Sequence, residues 1–397
     1  MFFVYFCFSL ETLFREITII METIPFNKPW LTGKESDYIS QSLQLGKTCG
    51  NGKFTHLCED FFEKKLGARK CLLTTSCTDA LEMCAMLAGI EPGDEVIVPS
   101  YTFVSTALAF ARQGATIVFA DSSTTHPDID TQQLEALITP RTKAIVPIHY
   151  AGVACDMDAI LEVANRHNLW VIEDAAQAID SFYKGRPLGT LGHLAAFSFH
   201  ETKNIQCGEG GLLVINDEKL VKRAEVLWEK GTNRAEFFRG EVNKYGWVDT
   251  GSSFLPAEYV AAFLWAQIEE MEQIQQKRKA LWERYNNGLK DIKGLLLPFI
   301  PAYATNNAHA FYIVCSSLEE RTALIAYLKE NNIHAVFHYL SLHKSPYAVQ
   351  RNWDKAYLPQ ADRYTDCLLR LPLFYELTTE EVDYICHTIR TFYHSRP

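Results

Sequence analysis

Four short stretches of this 397-residue chain place chemically useful groups where the backbone changes character. In VIEDAAQ (171–177), Asp174 ends an apolar run. In SFHETKN (198–204), Lys203 stands between the run AAFSF and the glycines of GEGG (208–211). TTSCTDALEM (74–83) sets Ser76, Cys77 and Thr78 between a strand-like and a helix-like segment. PSYTFVST (99–106) carries Tyr101 and Phe103 past another apolar run. In open α/β sheets ligands bind outside the carboxyl ends of the strands. A helix start there offers free N–H groups and a positive dipole end to an anion. The set is then an anion cradle, an aromatic plate, a carboxylate and an amine. Pyridoxal 5'-phosphate needs these four: an amine for the Schiff base, an acid to keep the ring nitrogen protonated, a seat for the phosphate and a cover for the ring.

Each group taken alone has a plainer reading. Asp174, Ser76 and Thr78 are good helix caps, and an aromatic residue after a strand is usually core. The coincidence of all four at one sheet edge favours cofactor chemistry. Other motifs fail. G-x-G-x-x-G is absent, GKTCGNGK (46–53) misses the P-loop spacing, and no H-E-x-x-H occurs. His334 and His338 are four apart in HAVFHYLSLH (334–343), which reads as extended, so they lack helical ligand geometry and no metal is expected.

The elements that must position these groups follow from periodicity. KCLLT, EVIVP, TIVFA, KAIVPIH, LWVIED, AAFSF and GLLVI are apolar nearly throughout, as strands buried on both faces are. Helix-like stretches alternate with most of them. The expected fold is α/β with a seven-stranded, mostly parallel sheet between helices. After Gly211, residues 217–230 read as a helix and GTNRAEFFRGEVNKYGW (231–247) as a loop. AEYVAAFLWAQIEEMEQIQQKRKALWERYNNGL (257–289) reads as one long helix or two joined ones. HAFYIVC and HAVFHY are strand candidates, and helices are expected near 319–331 and 379–393. The expected division is a large domain over 21–275 and a smaller α+β domain over 276–397.

The formal net charge of −10 argues against nucleic acid or an anionic membrane as partner. Eleven cysteines without a C-x-x-C pair read as reduced thiols of a cytoplasmic protein. MFFVYFCFSL is too short to span a bilayer and lacks the flanks of a signal peptide. Residues 1–20 therefore read as an extension ahead of the fold, with a short amphipathic anchor as the competing reading.

From about Ile24 onward the chain resembles the DegT/DnrJ sugar-nucleotide aminotransferases, fold type I pyridoxal-phosphate enzymes. The stretches that carry the resemblance are PSYTFVSTA, VPIHYAGVACDMD, VIEDAAQ, SFHETKN, GEGG, EKGTNR, GSSFLPAEYVAAFLWAQ and RLPLFY. The resemblance implies that Lys203 is the catalytic Schiff-base lysine, with Asp174 on the pyridine nitrogen and Gln177 near the ring hydroxyl. Phe103 would stack on the ring, and Ser76, Cys77, Thr78 and Ser198 would hold the phosphate. It also implies a homodimer with active sites at the interface. Ser253, in GSSFL, stands where many members carry an asparagine that reaches the partner's phosphate, and this departure puts that contact in doubt. EKGTNR…FFRG and VFHYLSLH resemble the members that use L-glutamate to aminate C4 of dTDP-4-dehydro-6-deoxyglucose. Arg234, Arg239 and Lys244 are candidates for the nucleotide diphosphate, against a solvated basic loop, and His338 for the substrate. The alternatives are another nucleotide keto sugar (3-keto or UDP-linked) and a non-catalytic regulator. A sugar 3-dehydratase of this fold would carry histidine in place of Lys203.

Overall fold

Seven of the apolar runs form one sheet. In the computed structural model, which describes residues 23–394, they are β1 (Lys70–Thr74), β2 (Glu95–Pro99), β3 (Thr116–Ala120), β4 (Thr142–Ile145), β5 (Trp170–Asp174), β6 (Leu194–Ser198) and β7 (Gly211–Ile215). The expected extension over residues 1–20 lies outside the described residues. The strand order is β1-β7-β6-β5-β4-β2-β3. β7 runs antiparallel to both neighbours, and the other pairs are parallel.

The strands read as continuous apolar runs because both faces are covered. Successive residues point to opposite faces. Leu72, Val96, Val98, Ile172, Ala196 and Leu213 join one hydrophobic cluster with the helices Cys77–Leu87 and Val104–Arg112. Cys71, Ile97, Val171, Ala195, Phe197 and Leu212 join a second with the helices Lys53–Leu66, Met157–His167 and Glu258–Glu269.

A third cluster lies around a two-stranded antiparallel ribbon, β8 (Phe311–Val314) and β9 (Leu368–Leu371), with the helices Leu318–Glu330 and Thr379–His394. The expected division at 275/276 falls inside the helix Met271–Leu289. Met271 and Ile274 belong to the second cluster, whereas Leu281, Trp282 and Tyr285 belong to the third.

One open alternative is decided and two expectations change. The segment 257–289 is two helices, which meet at Glu270. The loop 231–247 contains a short helix, Arg234–Phe238. HAVFHY is extended without becoming a strand: Val336 bridges Arg370, and the backbone then turns away toward the sheet edge.

One buried carboxylate ties the sheet to its loops. Glu173 is fully buried in β5 and accepts the N–H groups of Gly189 (2.8 Å), Leu191 (2.7 Å) and Gly192 (2.6 Å). His149 Nε2 lies 2.8 Å away. Burial alone would raise the pKa of Glu173, but His149 and the backbone donors hold it below the ordinary carboxylate range. Its stabilising contribution is therefore present above the unfolded-state pKa and is lost as pH falls toward the depressed folded value. Glu173→Ala strands three buried donors. It is expected to cost about 3–5 kcal/mol, read as a lower urea midpoint at neutral pH. A midpoint equal to wild type would show that these contacts carry no stability.

Candidate active site

The sheet register brings the cradle together. Gly211, the first residue of β7, pairs with Thr74 at the end of β1 on one side and with Ser198 at the end of β6 on the other. Because β7 is antiparallel, its amino end lies at the carboxyl edge of its neighbours. The chain leaving β1 then enters the helix Cys77–Leu87, capped by Ser76, whose Oγ accepts the Asp79 N–H at 3.1 Å. Ser76, Cys77, Thr78 and Ser198 are all half-buried. A Cβ on Gly211 would sit 2.4 Å from the Ser76 carbonyl group and 2.5 Å from Cys77 N, so only glycine admits this close approach. Burial pushes the Cys77 thiol far above its ordinary range, so it faces an anion as a neutral group.

The helix Val104–Arg112 joins the cradle to the carboxylate. Ser105 Oγ lies 2.7 Å from Thr78 Oγ1. From the next residue, the Thr106 hydroxyl donates to Asp174 Oδ2 at 2.7 Å, and Ala176 N–H donates to Oδ1 at 3.1 Å. Burial raises the pKa of Asp174, while Thr106, Ala176 and the charge of Lys203 pull it down. Phe103, the residue before this helix, is 57% exposed and free to lie against a flat ligand, whereas Tyr101 is 1% exposed and belongs to the core.

Lys203 lies in the connection from β6 to β7. Phe199 N–H donates to Gly210 O at 2.9 Å, Glu201 N–H to Gly208 O at 3.0 Å and Lys203 N–H to His200 O at 2.8 Å, which closes a tight turn. Asn204 anchors it from below: its Nδ2 donates to Gln275 Oε1 (2.7 Å) and Asn307 O (2.9 Å), and its Oδ1 is 3.1 Å from His309 Nδ1. Burial lowers the pKa of the Lys203 amine, with the nearby Asp174 charge opposing and Arg370 assisting. The shift is toward the neutral amine that a proton-transfer base requires.

Gln177 is buried. Its Oε1 accepts Ala151 N–H at 2.6 Å, and its Nε2 donates to Tyr339 OH at 2.8 Å. Ala151 is held at φ 54°, a conformation that costs a non-glycine residue roughly 1–3 kcal/mol. His338 stacks on Tyr339 at 3.5 Å and lies 2.7 Å from Tyr150 OH, so it adjoins Gln177 through Tyr339. Thr106, Gly211, Asn204, His309, Tyr339 and Arg370 were not singled out in the sequence. Thr106, Asn204, Gly211, Tyr339 and Arg370 stand inside PSYTFVSTA, SFHETKN, GEGG, VFHYLSLH and RLPLFY, and nothing local marks His309.

Arg234, Arg239 and Ser253 line a different groove, of about 570 Å³, together with Lys47, Lys70 and Trp228. Arg239 is already engaged by Glu225 (2.8 Å) and Glu241 (2.6 Å). Arg234 reaches Glu229 at 3.3 Å, and its Nε is buried without a partner. Lys244 is exposed and outside the groove lining. His334 is exposed, and among the described residues no group of three or more His, Cys, Asp or Glu could hold a metal.

The donor set fits pyridoxal phosphate: a half-buried amine, a buried carboxylate held by neutral donors, a helix start and an exposed aromatic ring converge at one edge. Fold and site thus define a fold type I pyridoxal-phosphate enzyme. The comparisons agree. Residues 30–390 match the DegT/DnrJ/EryC1/StrS aminotransferase family. Spore coat polysaccharide biosynthesis protein SpsC of Bacillus subtilis is 35% identical over 378 residues, covering 92% of this chain and 96% of SpsC. DesV of S. venezuelae matches with a TM-score of 0.87 at 30% identity, over 95% of this chain and 100% of that one. The PLP form of the sugar aminotransferase Spr1654 of Streptococcus pneumoniae matches with a TM-score of 0.87 at 27% identity, over 94% and 99%. The chain belongs to the DegT/DnrJ/EryC1/StrS aminotransferase family, and pyridoxal phosphate is its cofactor.

Gly211→Ala is expected to displace the Ser76–Cys77 backbone and raise the dissociation constant for pyridoxal phosphate about tenfold or more. Titration of the apoenzyme with the cofactor, followed by absorbance, measures this. Wild-type affinity in the variant would show that the close approach does not shape the phosphate seat.

Proposed function

We propose that this transaminase takes the amino group of L-glutamate and places it on C4 of dTDP-4-dehydro-6-deoxy-D-glucose. The products are dTDP-4-amino-4,6-dideoxy-D-galactose and 2-oxoglutarate. The observation that carries the transaminase reading is the convergence of Lys203 and Asp174 at one sheet edge. The choice of sugar is supported by EKGTNR…FFRG and VFHYLSLH, and a role in surface polysaccharide synthesis by the kinship with SpsC.

Pyridoxal phosphate, when bound, supplies an aldehyde to carry the amino group and a ring to accept the electron pair released at Cα. The residues do the rest. The start of the helix Cys77–Leu87, with Ser76, Thr78 and Ser198, seats the phosphate. Asp174 would hold a proton on the ring nitrogen, with hydrogen bonds from Thr106 and Ala176 supporting its charge against burial. Phe103 covers one face of the ring and excludes water. Gln177, fixed between Ala151 and Tyr339, faces the ring hydroxyl. Lys203 Nζ takes the Cα proton of the donor and delivers a proton when the sugar is aminated.

Around this centre we place His338 against the sugar, and Arg234, Arg239 and Lys244 near the diphosphate. Arg234 has a donor to spare, whereas Arg239 must exchange a carboxylate for phosphate. We also propose a homodimer in which Ser253 serves the partner's phosphate. Within one chain Ser253 is exposed on the groove, away from the recess of Lys203. All ten described cysteines are free, in keeping with a cytoplasmic enzyme.

Two experiments test this reading. Lys203→Ala should lose at least roughly a thousandfold in turnover, as removal of a general base does, together with the visible absorbance of the lysine-bound cofactor. Retained activity would remove Lys203 from the chemistry. A panel of nucleotide keto sugars with glutamate, with the configuration at the aminated carbon determined, decides the acceptor. In that assay Arg239→Glu should raise the sugar-nucleotide KM about tenfold and leave the glutamate half-reaction unchanged. An unaltered KM would take Arg239 out of the substrate site.

A further inference from the structure

We propose that Arg370 binds a carboxylate of the amino-acid donor and so sets the donor specificity of the Lys203 site. This rests on the transaminase reading above.

Arg370 lies in β9, opposite Tyr312 of β8. Side chains on a strand alternate between faces. Leu369 and Leu371 enter the third cluster, the core of the smaller unit. Leu368, Tyr312 and Val314 enter the first, together with Tyr101 and Tyr150 of the large unit. Arg370 shares the face of Leu368 and therefore points toward the catalytic edge. Tyr312, its partner across the ribbon, packs edge-on against Tyr150, whose hydroxyl meets His338.

The guanidinium is nearly unoccupied. Its Nη2 donates to Phe337 O at a long 3.3 Å, and its Nε is buried with no partner. Among the described residues no carboxylate pairs with it. Phe26 packs beneath it at 4.6 Å and fixes its plane. The next residue, Asn27, lines the small recess that contains Lys203. Arg370 is half-buried, and a buried Nε without a partner is costly to maintain unless a ligand completes it.

The ligand chemistry follows from the fork. A planar guanidinium with free edge donors suits a carboxylate bound through two parallel hydrogen bonds. The cofactor phosphate has its own seat after β1. The nucleotide diphosphate calls for several cations, but on this face Arg370 stands with His309 and His338, both kept neutral by burial. A single negative charge beside Lys203 matches the amino acid whose nitrogen the site receives.

The test uses the holoenzyme without sugar. Glutamate bleaches the visible band of the wild type, and the concentration for half-maximal rate is compared with that of Arg370→Gln. The expected rise is about 10- to 100-fold, the effect of losing hydrogen bonds to a charged group. Calorimetric binding of 2-methyl-L-glutamate, which has no Cα proton to lose, should weaken in parallel. The KM for the keto sugar in the reverse half-reaction should stay within twofold. Unchanged glutamate dependence, or a loss confined to the sugar nucleotide, overturns the proposal. Should Arg370→Gln not fold, Arg370→Lys decides: it keeps the charge but loses the fork, a several-fold rise is expected, and an unchanged value is fatal. If no amino acid bleaches the wild type, the transaminase reading itself fails.

Discussion

A carboxylate taken out of water stays ionised only if other groups replace its hydration. Asp174 is such a group, and much of the surrounding structure is arranged around it. Its Oδ2 receives the Thr106 hydroxyl, which is itself 2.9 Å from Thr102, and its Oδ1 receives the Ala176 N–H. None of these donors carries a charge, so the site gains hydrogen bonds without importing a cation that would neutralise the acid. The charge of Lys203 also acts on it, ahead of that of His149, and burial drives the Lys203 amine toward the neutral form. Burial opposes the charge on both groups, and at Asp174 the hydrogen bonds of Thr106 and Ala176 work against it.

The two groups come from adjacent strands, β5 and β6, and their relative position depends on how the loop after each is held. Glu173 does this for β5, through backbone donors of residues 189–192 on the way to β6. Asn204 does it for Lys203, through Gln275, Asn307 and His309. Those three lie more than seventy residues further along the chain, on the helix and the crossing that lead to the smaller unit. The catalytic turn is therefore clamped by the segment that carries β8, and the face of β8 and β9 that bears Arg370 is aimed at the same recess.

The strands were legible because a sheet covered on both faces demands apolar residues without interruption, and all seven apolar runs proved to be strands. Asp174 and Lys203 were legible for the converse reason: a charge just after such a run is exceptional. The resemblance to a known family added roles for Gln177 and Ser198 that spacing alone could not supply. What was not legible depends on distance along the chain. Thr106 is an ordinary threonine until β5 brings Asp174 to it, and Arg370 is an ordinary strand arginine until the first cluster turns its face. HAVFHY alternates like a strand, but β9 is only four residues long and offers Val336 a single bridge. The cations of 231–247 looked available because Glu225, which engages Arg239, lies fourteen residues earlier.

The acidic balance of the chain also finds a physical sense. A net charge of −10 repels the anionic substrates that the site must receive, so cations have to act at short range, where low dielectric makes them effective. In the groove each arginine is held by a glutamate: Arg234 by Glu229 and Arg239 by Glu225 and Glu241. An arriving phosphate must displace or share those partners, which limits affinity for anions in general. Arg370 differs in having no carboxylate to displace. It is flanked by histidines that burial keeps neutral, and its flat face is covered by Phe26. On the proposal above, its attraction acts on a single carboxylate and would let an acidic protein single out one small anion beside Lys203.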